Sequence, residues 1–349
     1  MNRCLPPMPF AYLVAITVAF TASPVLADAP SSISKPVRVI LDTDMSGDCD
    51  DAGALALLHA LADRGECEIL AVVTNRRDLT NASAAAVDAI NTYYGRGDIP
   101  IGTDKRGPTA FQRTSPYTTA LRDNFQHDTP PDSEAQDAID VYRKILTDAA
   151  DHSVTICSVG AFSNQADFIR QEPALVRNKV QRLVVMGGHF PKSNRPETNV
   201  ITHIEAAQTV AEHWPGEIIW HGFEVGKQLV TGARLKATPK NNPVRRAYEL
   251  RPMPGNKMSI DEGKPSYDQA AALFAVRGAD STFWKVVRGG RVEIDDRGIT
   301  AWTKASSDTQ ATAHAYVKIN GAPKHLARKI EDLMVAPPKR ASGADDPAQ

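Results

Sequence analysis

The chain has 349 residues, 42% of them hydrophobic, with 40 Lys+Arg against 41 Asp+Glu and a formal charge of −1. That length and apolar content suffice for a sizeable core. With no basic excess to neutralise a phosphate backbone, nucleic acid is excluded as a main partner. A mean hydropathy of −0.30 argues against an integral membrane protein, and 23% charged residues with 24 prolines do not mark disorder.

Arg3 is the only charge before Asp28, and an apolar run spans Phe10 to Phe20. A Ser-Pro turn then leads to Val25-Leu26-Ala27. This pattern predicts a secretory signal peptide over 1–27 and an exported chain, periplasmic or secreted. The run is about half of the roughly 20 residues a spanning helix needs. No cysteine follows Ala27, so no lipid anchor is expected, and no stable membrane anchor of any kind. Cleavage leaves Cys49, Cys67 and Cys157, which allow at most one bridge and match no zinc spacing.

Val37–Leu41 is β-branched and predicts a strand, followed by a polar loop from Asp42 to Asp51 and a helical composition over Ala52–Ala62. Glu68–Thr74 reads as a second strand and Ala82–Tyr94 as a helix, which makes a βαβ unit. The pattern recurs, with strands at Val154–Val159, Arg182–Met186 and Glu217–His221 and helices at Asn164–Gln171, Glu172–Lys179 and Glu205–His213. The fold class predicted is α/β: a Rossmann-like open, mostly parallel sheet with helices on both faces, one domain over 28–335. Residues 103–135 read as an irregular loop or lid, 286–303 as a hairpin with turn signals at Gly289-Gly290 and Asp296–Gly298, and 336–349 as a frayed tail.

Ligands of parallel sheets bind beyond the C-terminal strand ends. The polar clusters 42–51, 74–78, 160–164, 186–199 and 221–226 all fall there. The first is the richest: Asp42, Asp44, Asp48, Asp50 and Asp51 place five carboxylates within ten residues. Like charges this close raise one another's pKa, and a cation removes that cost. Hard oxygen ligands without a histidine or thiolate pair suit Ca²⁺ or Mg²⁺ over zinc. The plainer reading is that Asp50 or Asp51 caps the following helix and Asp42 satisfies the turn.

Asp42-Thr-Asp44 followed by Asp50-Asp51 and an Ala/Leu-rich helix resembles the N-terminal signature of the inosine–uridine-preferring nucleoside hydrolases, in a longer-loop variant. Three further segments match in order. Gly160-Ala-Phe-Ser163-Asn164 resembles the family's Gly-Pro-Leu-Thr-Asn turn. Met186-Gly-Gly188 with Asn194 and Glu197-Thr-Asn199 resembles its ribose-binding segment. Ser266-Tyr267-Asp268 resembles its late His-Asp segment. The resemblance implies the nucleoside hydrolase fold and Ca²⁺-dependent cleavage of the N-glycosidic bond of ribonucleosides to ribose and free base. It also implies a homo-oligomer, dimer or tetramer, acting on a small nucleoside or riboside. Carried over, it makes Asp44, Asp51, the Ser163 carbonyl and Asp268 the calcium ligands, with Asp44 also the general base for water. Asp50, Asn194, Glu197 and Asn199 would hold the ribose, with Asn75 contributing from the second strand end and Asp42 supporting from behind. Asp48 belongs to the extra loop residues. Acidic groups around a sugar suit an oxocarbenium-like transition state, whose positive charge they stabilise.

Tyr267 stands where many relatives carry the His associated with protonating the departing base. A neutral phenol is a weaker acid, yet it can donate a hydrogen bond, stack or pack. His189, His203, His221 and Glu224 are the other acid candidates near strand ends, and Trp214, Trp220, Trp284 and Trp302 are candidates for base stacking or packing. Two further functions fit parts of the pattern. One is a calcium-dependent riboside-binding protein without turnover. The other is a haloacid-dehalogenase-like phosphatase with Asp42 as nucleophile and Mg²⁺ as cofactor.

Overall fold

The computed structural model describes Met1 and residues 35–108, 116–251, 259–304 and 314–339. The predicted leader therefore lies outside the described residues except for Met1. Within Lys35–Gln349, one compact unit, the chain runs β1 (Val37–Thr43), α1 (Asp50–Asp63), β2 (Cys67–Thr74), α2 (Ser83–Tyr93), β3 (Ile101–Thr103), α3 (Tyr117–Asn124) and α4 (Ala138–Thr147). It continues through β4 (Val154–Ser158), α5 (Ser163–Gln171), α6 (Pro173–Lys179), β5 (Val180–Met186), α7 (Thr198–Thr202), α8 (Ile204–His213) and β6 (Glu217–His221). The last third holds α9 (Phe223–Gly226), β7 (Val230–Thr231), α10 (Pro243–Leu250), β8 (Lys264–Pro265), α11 (Tyr267–Arg277), β9 (Trp284–Ile294), β10 (Thr300–Lys304), β11 (His314–Ile319) and α12 (Pro323–Met334).

Nine strands form one sheet in the order β10-β9-β11-β6-β5-β4-β1-β2-β3. The seven from β11 to β3 pair in parallel, and the β9–β10 hairpin closes one edge antiparallel. Side chains on a strand alternate between faces. In β1, Val39 and Leu41 enter one core layer while Ile40 enters the other. In β5, Val184 and Met186 are opposed to Leu183 and Val185 in the same way. The first layer is covered by α1, α2, α11 and α12, the second by α4, α5, α6 and α8. The fold is thus α/β with helices on both faces, as the strand–helix alternation predicts.

The chain leaves β1 toward β2 and β3 on one side and later toward β4, β5 and β6 on the other, so β1 and β4 flank the switch point. Register keeps the strand ends level: Thr43 lies beside Thr74, Asp42 beside Ser158, and Met186 beside His221. Their outgoing loops therefore open onto one place.

Two expectations need correction. Residues 103–135 are not one irregular lid. They contain α3, whose Tyr117, Thr118 and Leu121 are buried, and the Tyr117 hydroxyl contacts the Met45 sulfur at 3.3 Å. Gly289-Gly290 is not a turn. β9 runs through it, and Gly289 takes φ +82° where the register against β11 skips a residue, a bulge that glycine permits. Of the predicted tail, Ala336 packs on the core and the Lys339 N–H donates to Asp63 at 3.0 Å, while residues 340–349 lie outside the described residues. Cys49, Cys67 and Cys157 are all free thiols and all buried. Among the described residues no helix is long and apolar enough to cross a membrane.

Candidate active site

Asp42, the last buried acid of β1, has no exposed surface. Its carboxylate accepts from Asn75 Nδ2 and the Tyr142 hydroxyl, each at 2.6 Å, from Gln165 Nε2 at 2.7 Å and from Asn164 Nδ2 at 3.1 Å. Burial pushes its pKa up to about 7 against those donors. Asp42 thus ties the ends of β1 and β2 to α4 and α5 from beneath the site. A carboxylate enclosed in this way cannot attack a substrate, which removes the phosphatase reading.

Two residues later Asp44 reaches the cavity, where its Oδ2 lies 2.6 Å from Arg76 Nη2 in a nearly buried ion pair. The loop then enters α1 with Cys49 at the N-cap and no side-chain cap, so Asp50 and Asp51 do not cap their own helix. Asp50 instead receives the Tyr267 and Asp268 N–H groups of α11 at 3.1 and 3.4 Å, and the Lys264 ammonium. Asp51 accepts from the Thr43 hydroxyl. The tightest carboxylate group among the described residues is Asp48, Asp50 and Asp51, with ligand atoms within 4.8 Å of one another.

From the other strand ends come Val159 after β4, Met186 at the end of β5, Glu197 and Asn199 at the start of α7, and Phe223 after β6. With Asp44, Asp48, Asp50, Asp51, Arg76, Tyr267 and Asp268 they line one cavity of about 230 Å³. Glu197 is the N-cap of α7 and accepts from the Asn199, Val200 and Gly188 N–H groups at 3.0 to 3.3 Å. Burial raises it to about 7. Asn199 Nδ2 donates to the carbonyls of Val159 and Met186 at 3.0 and 3.1 Å, which stitches β4 and β5 together at the cavity floor. The Tyr267 ring stacks on Phe223 with centroids 5.2 Å apart, and Lys264 Nζ lies 5.4 Å from its centroid. Packing takes up the ring, so the hydroxyl is what Tyr267 has left to offer a ligand. Burial pushes that phenol up to about 12, so it stays protonated near neutrality.

Burial first, then the repulsion of neighbouring carboxylates, lifts Asp51 and Asp268 well above the ordinary range. Among the described residues no ion pair reaches either of them, whereas Asp44 has Arg76 and Asp48 and Asp50 share Lys264. Two buried acids lacking a counter-charge, with further oxygens in the same cavity, fit a hard divalent cation. Asp51 and Asp268 are the carboxylates left open to hold it.

Several sequence-predicted positions fall elsewhere. Asn75 does not line the cavity. Its amide lies one layer below, Nδ2 committed to Asp42 and Oδ1 to the Ala161 N–H at 2.9 Å. Asn194 is exposed on the loop after β5 and also does not line it. Ser163 begins α5 and is buried, its hydroxyl 2.7 Å from the Asn75 carbonyl and 2.6 Å from Asp104 Oδ2. The residue of this turn that lines the cavity is Val159, four positions earlier. His221 sits in the core against Phe274 and Trp284, and burial lowers it to about 3, so it is no acid at neutral pH. His203 joins α7 to α8, and Glu224 accepts from the Phe190 N–H at 3.2 Å; neither lines the cavity. His189 packs on Phe223 at 5.1 Å, at the edge of the aromatic wall. Trp214, Trp220 and Trp284 are buried and Trp302 packs on Tyr316, all outside the cavity lining. Sequence reasoning missed Arg76, Val159, Phe223 and Lys264. Only Arg76 carried a signal, as a cation in the polar cluster after β2.

The family model for inosine-uridine preferring nucleoside hydrolases matches residues 39–324. Among curated proteins none matches. A plant nucleoside hydrolase structure superposes with TM-score 0.68 at 18% identity, covering 86% of this chain and 100% of that one. A purine-preferring ribonucleoside hydrolase from Gardnerella vaginalis gives 0.65 at 17%, covering 85% and 99%. The type III effector protein XopQ, complexed with adenosine diphosphate ribose, gives 0.64 at 13%, covering 87% and 94%. At these identities the superpositions speak for a common fold. The family match spans most of the chain and encloses every residue of the cavity, and on that ground the chain belongs to the inosine-uridine preferring nucleoside hydrolases, which hydrolyse N-glycosidic bonds.

Proposed function

We propose that the protein hydrolyses the N-glycosidic bond of ribonucleosides to ribose and free base, with Ca²⁺ held by Asp44, Asp51, Asp268 and the Val159 carbonyl. The observation that carries this reading is the convergence of Asp44, Asp51 and Asp268 with Glu197 and Asn199 in one cavity. Val159 takes the place first given to Ser163 because it, not Ser163, lines that cavity. Calcium, when bound, acidifies water and gathers ribose hydroxyls, the chemistry such a donor set supports.

The rest is done by the chain. Asp44 accepts the proton of the attacking water. Asp50, Glu197 and Asn199 fix the ribose, and the two carboxylates among them favour the oxocarbenium-like state. Tyr267 donates its phenolic hydrogen bond to the departing base, and Phe223, with His189 packed against it, supplies the apolar wall beside it. Export of the chain after removal of residues 1–27 and assembly into a homo-oligomer belong to the same proposal. N-terminal sequencing of the mature protein and light scattering test them.

The Arg76–Asp44 ion pair favours a second reading, binding of a riboside without turnover, because it occupies one of the two carboxylate oxygens of the proposed base. The two are separated by incubating purified protein with calcium and purine or pyrimidine ribonucleosides. Free base measured by chromatography supports hydrolysis. Tight binding by calorimetry without base release supports the second reading and ends the first.

A further inference from the structure

Five carboxylates enter the loop side of the cavity, Asp44, Asp48, Asp50, Asp51 and Asp268, and the chain brings two cations to them. Arg76 takes Asp44. Lys264 comes from β8, a two-residue strand held by pairing with β7, and its side chain is only 7% exposed. Its ammonium lies 2.6 Å from Asp48 Oδ1, against Asp50 Oδ1, and 3.4 Å from the Pro265 carbonyl. An ammonium has three N–H donors, and these three acceptors use them. Burial alone would neutralise such a lysine; Asp48 and Asp50 more than offset it and keep it charged. The other oxygen of Asp50 is committed to the first turn of α11.

Asp48, Asp50 and Asp51 would otherwise form a three-carboxylate cluster tight enough for a metal ion. With Lys264 in place two of the three share one resident counter-charge. What remains among these five without an ion-pair partner is Asp51 and Asp268, the two carboxylates left for one divalent ion.

We infer that Lys264 is a positioning residue that serves as the resident cation of the Asp48–Asp50 half of the cluster, so that the site accepts one divalent ion and Asp50 is left facing the sugar. The inference rests on reading this cavity as a divalent-metal site. Lys264 holds Asp50 in register with Tyr267, and the extra loop residues that carry Asp48 belong to the same device.

The test is ion stoichiometry by equilibrium dialysis with Ca²⁺ and with Mn²⁺ alone, on the full chain, with no substrate present. The wild type is expected to bind one ion per chain and Lys264→Met one ion more than the wild type. Lys264→Arg is expected to restore the wild-type number, and the double change Lys264→Met with Asp48→Asn to show no gain. A role in packing alone would not move the count. If Lys264→Met is unstable, calcium is expected to raise its Tm more than it raises that of the wild type; failure of calcium to restore the fold overturns the inference. Two ions in the wild type, or an unchanged count in Lys264→Met, overturn it as well. A wild type that binds no ion ends the calcium reading instead. The lysine inference then stands if Lys264→Met takes up an ion and falls if it does not.

Discussion

Gly160 tests how tightly the two strand ends flanking the switch point must approach. A Cβ added there would meet Asn75 Oδ1 first, then lie 2.6 Å from the Asp44 Cβ and 2.9 Å from Asn75 Nδ2. Real Cβ contacts below 3.0 Å are essentially absent, so the Asn75 amide must move, and Asp44 or the turn must also shift by about 0.4 Å, or by about 0.8 Å to reach an ordinary 3.4 Å contact. Neither neighbour yields cheaply. The clashing atom of Asp44 is next to its backbone, and Asn75 is locked to Asp42 and to the Ala161 N–H. Overpacking of this kind costs about 1–3 kcal/mol. Displacement of a reacting group by up to an ångström costs on the order of 100-fold in rate. Gly160→Ala is therefore expected to melt a few degrees lower and to lose one to two orders of magnitude in kcat/KM, with weaker calcium binding. Circular-dichroism melts, base release and calcium titration measure the three effects. Wild-type activity and Tm together in Gly160→Ala would refute the claim that Asp44 is wedged against the β4 turn.

Calcium affinity should depend on pH with a definite sign. Asp51 and Asp268 are raised well above the ordinary carboxylate range by burial and mutual repulsion, so the metal-free protein retains protons there that calcium must displace. Binding should tighten as pH rises, by up to about tenfold per pH unit for each proton released, and buffer-dependent heats in calorimetry should report that release; heats independent of the buffer contradict it. Asp42→Asn turns one acceptor oxygen into a donor facing the donors that converge on Asp42, and is expected to cost about 1–3 kcal/mol of stability, read by denaturant unfolding. A midpoint equal to the wild type would mean that the hub is not held together as described. Tyr267→Phe keeps the stack on Phe223 and removes only the hydroxyl, so kcat should fall at least ~10-fold with KM little changed. Phe223→Ala should mainly raise KM. The opposite split would exchange the two roles.

The parallel sheet was legible because β1, β2, β4, β5 and β6 are short apolar runs ending in polar clusters, and a strand buried on both faces can hardly be written otherwise. The acid-rich loop was legible for the same local reason: five carboxylates within ten residues have few structural uses. What lay outside local pattern was missed. Asn75 and Asp44 both follow strand ends, yet only the tertiary level of each decides that Asp44 meets the cavity and Asn75 underpins it. Ser163 and Val159 sit in one turn, and the choice between them depends on where α5 begins. Lys264 carries no signal in a polar segment, because its partners are more than 200 residues earlier in the chain. α3 and α10 were overlooked because each is only eight residues long, too short for a clear helical period. Asp50 shows how a residue that lines the cavity can have an unexpected partner, since it caps α11 rather than the helix it begins.

The most direct measurement is release of free base from ribonucleosides by the purified protein, in calcium and after exhaustive chelation. Hydrolysis in calcium, its loss on chelation, its return on adding calcium back, and its absence in Asp268→Asn are the results expected. No base released from any common purine or pyrimidine ribonucleoside, or turnover indifferent to chelation, would contradict the account.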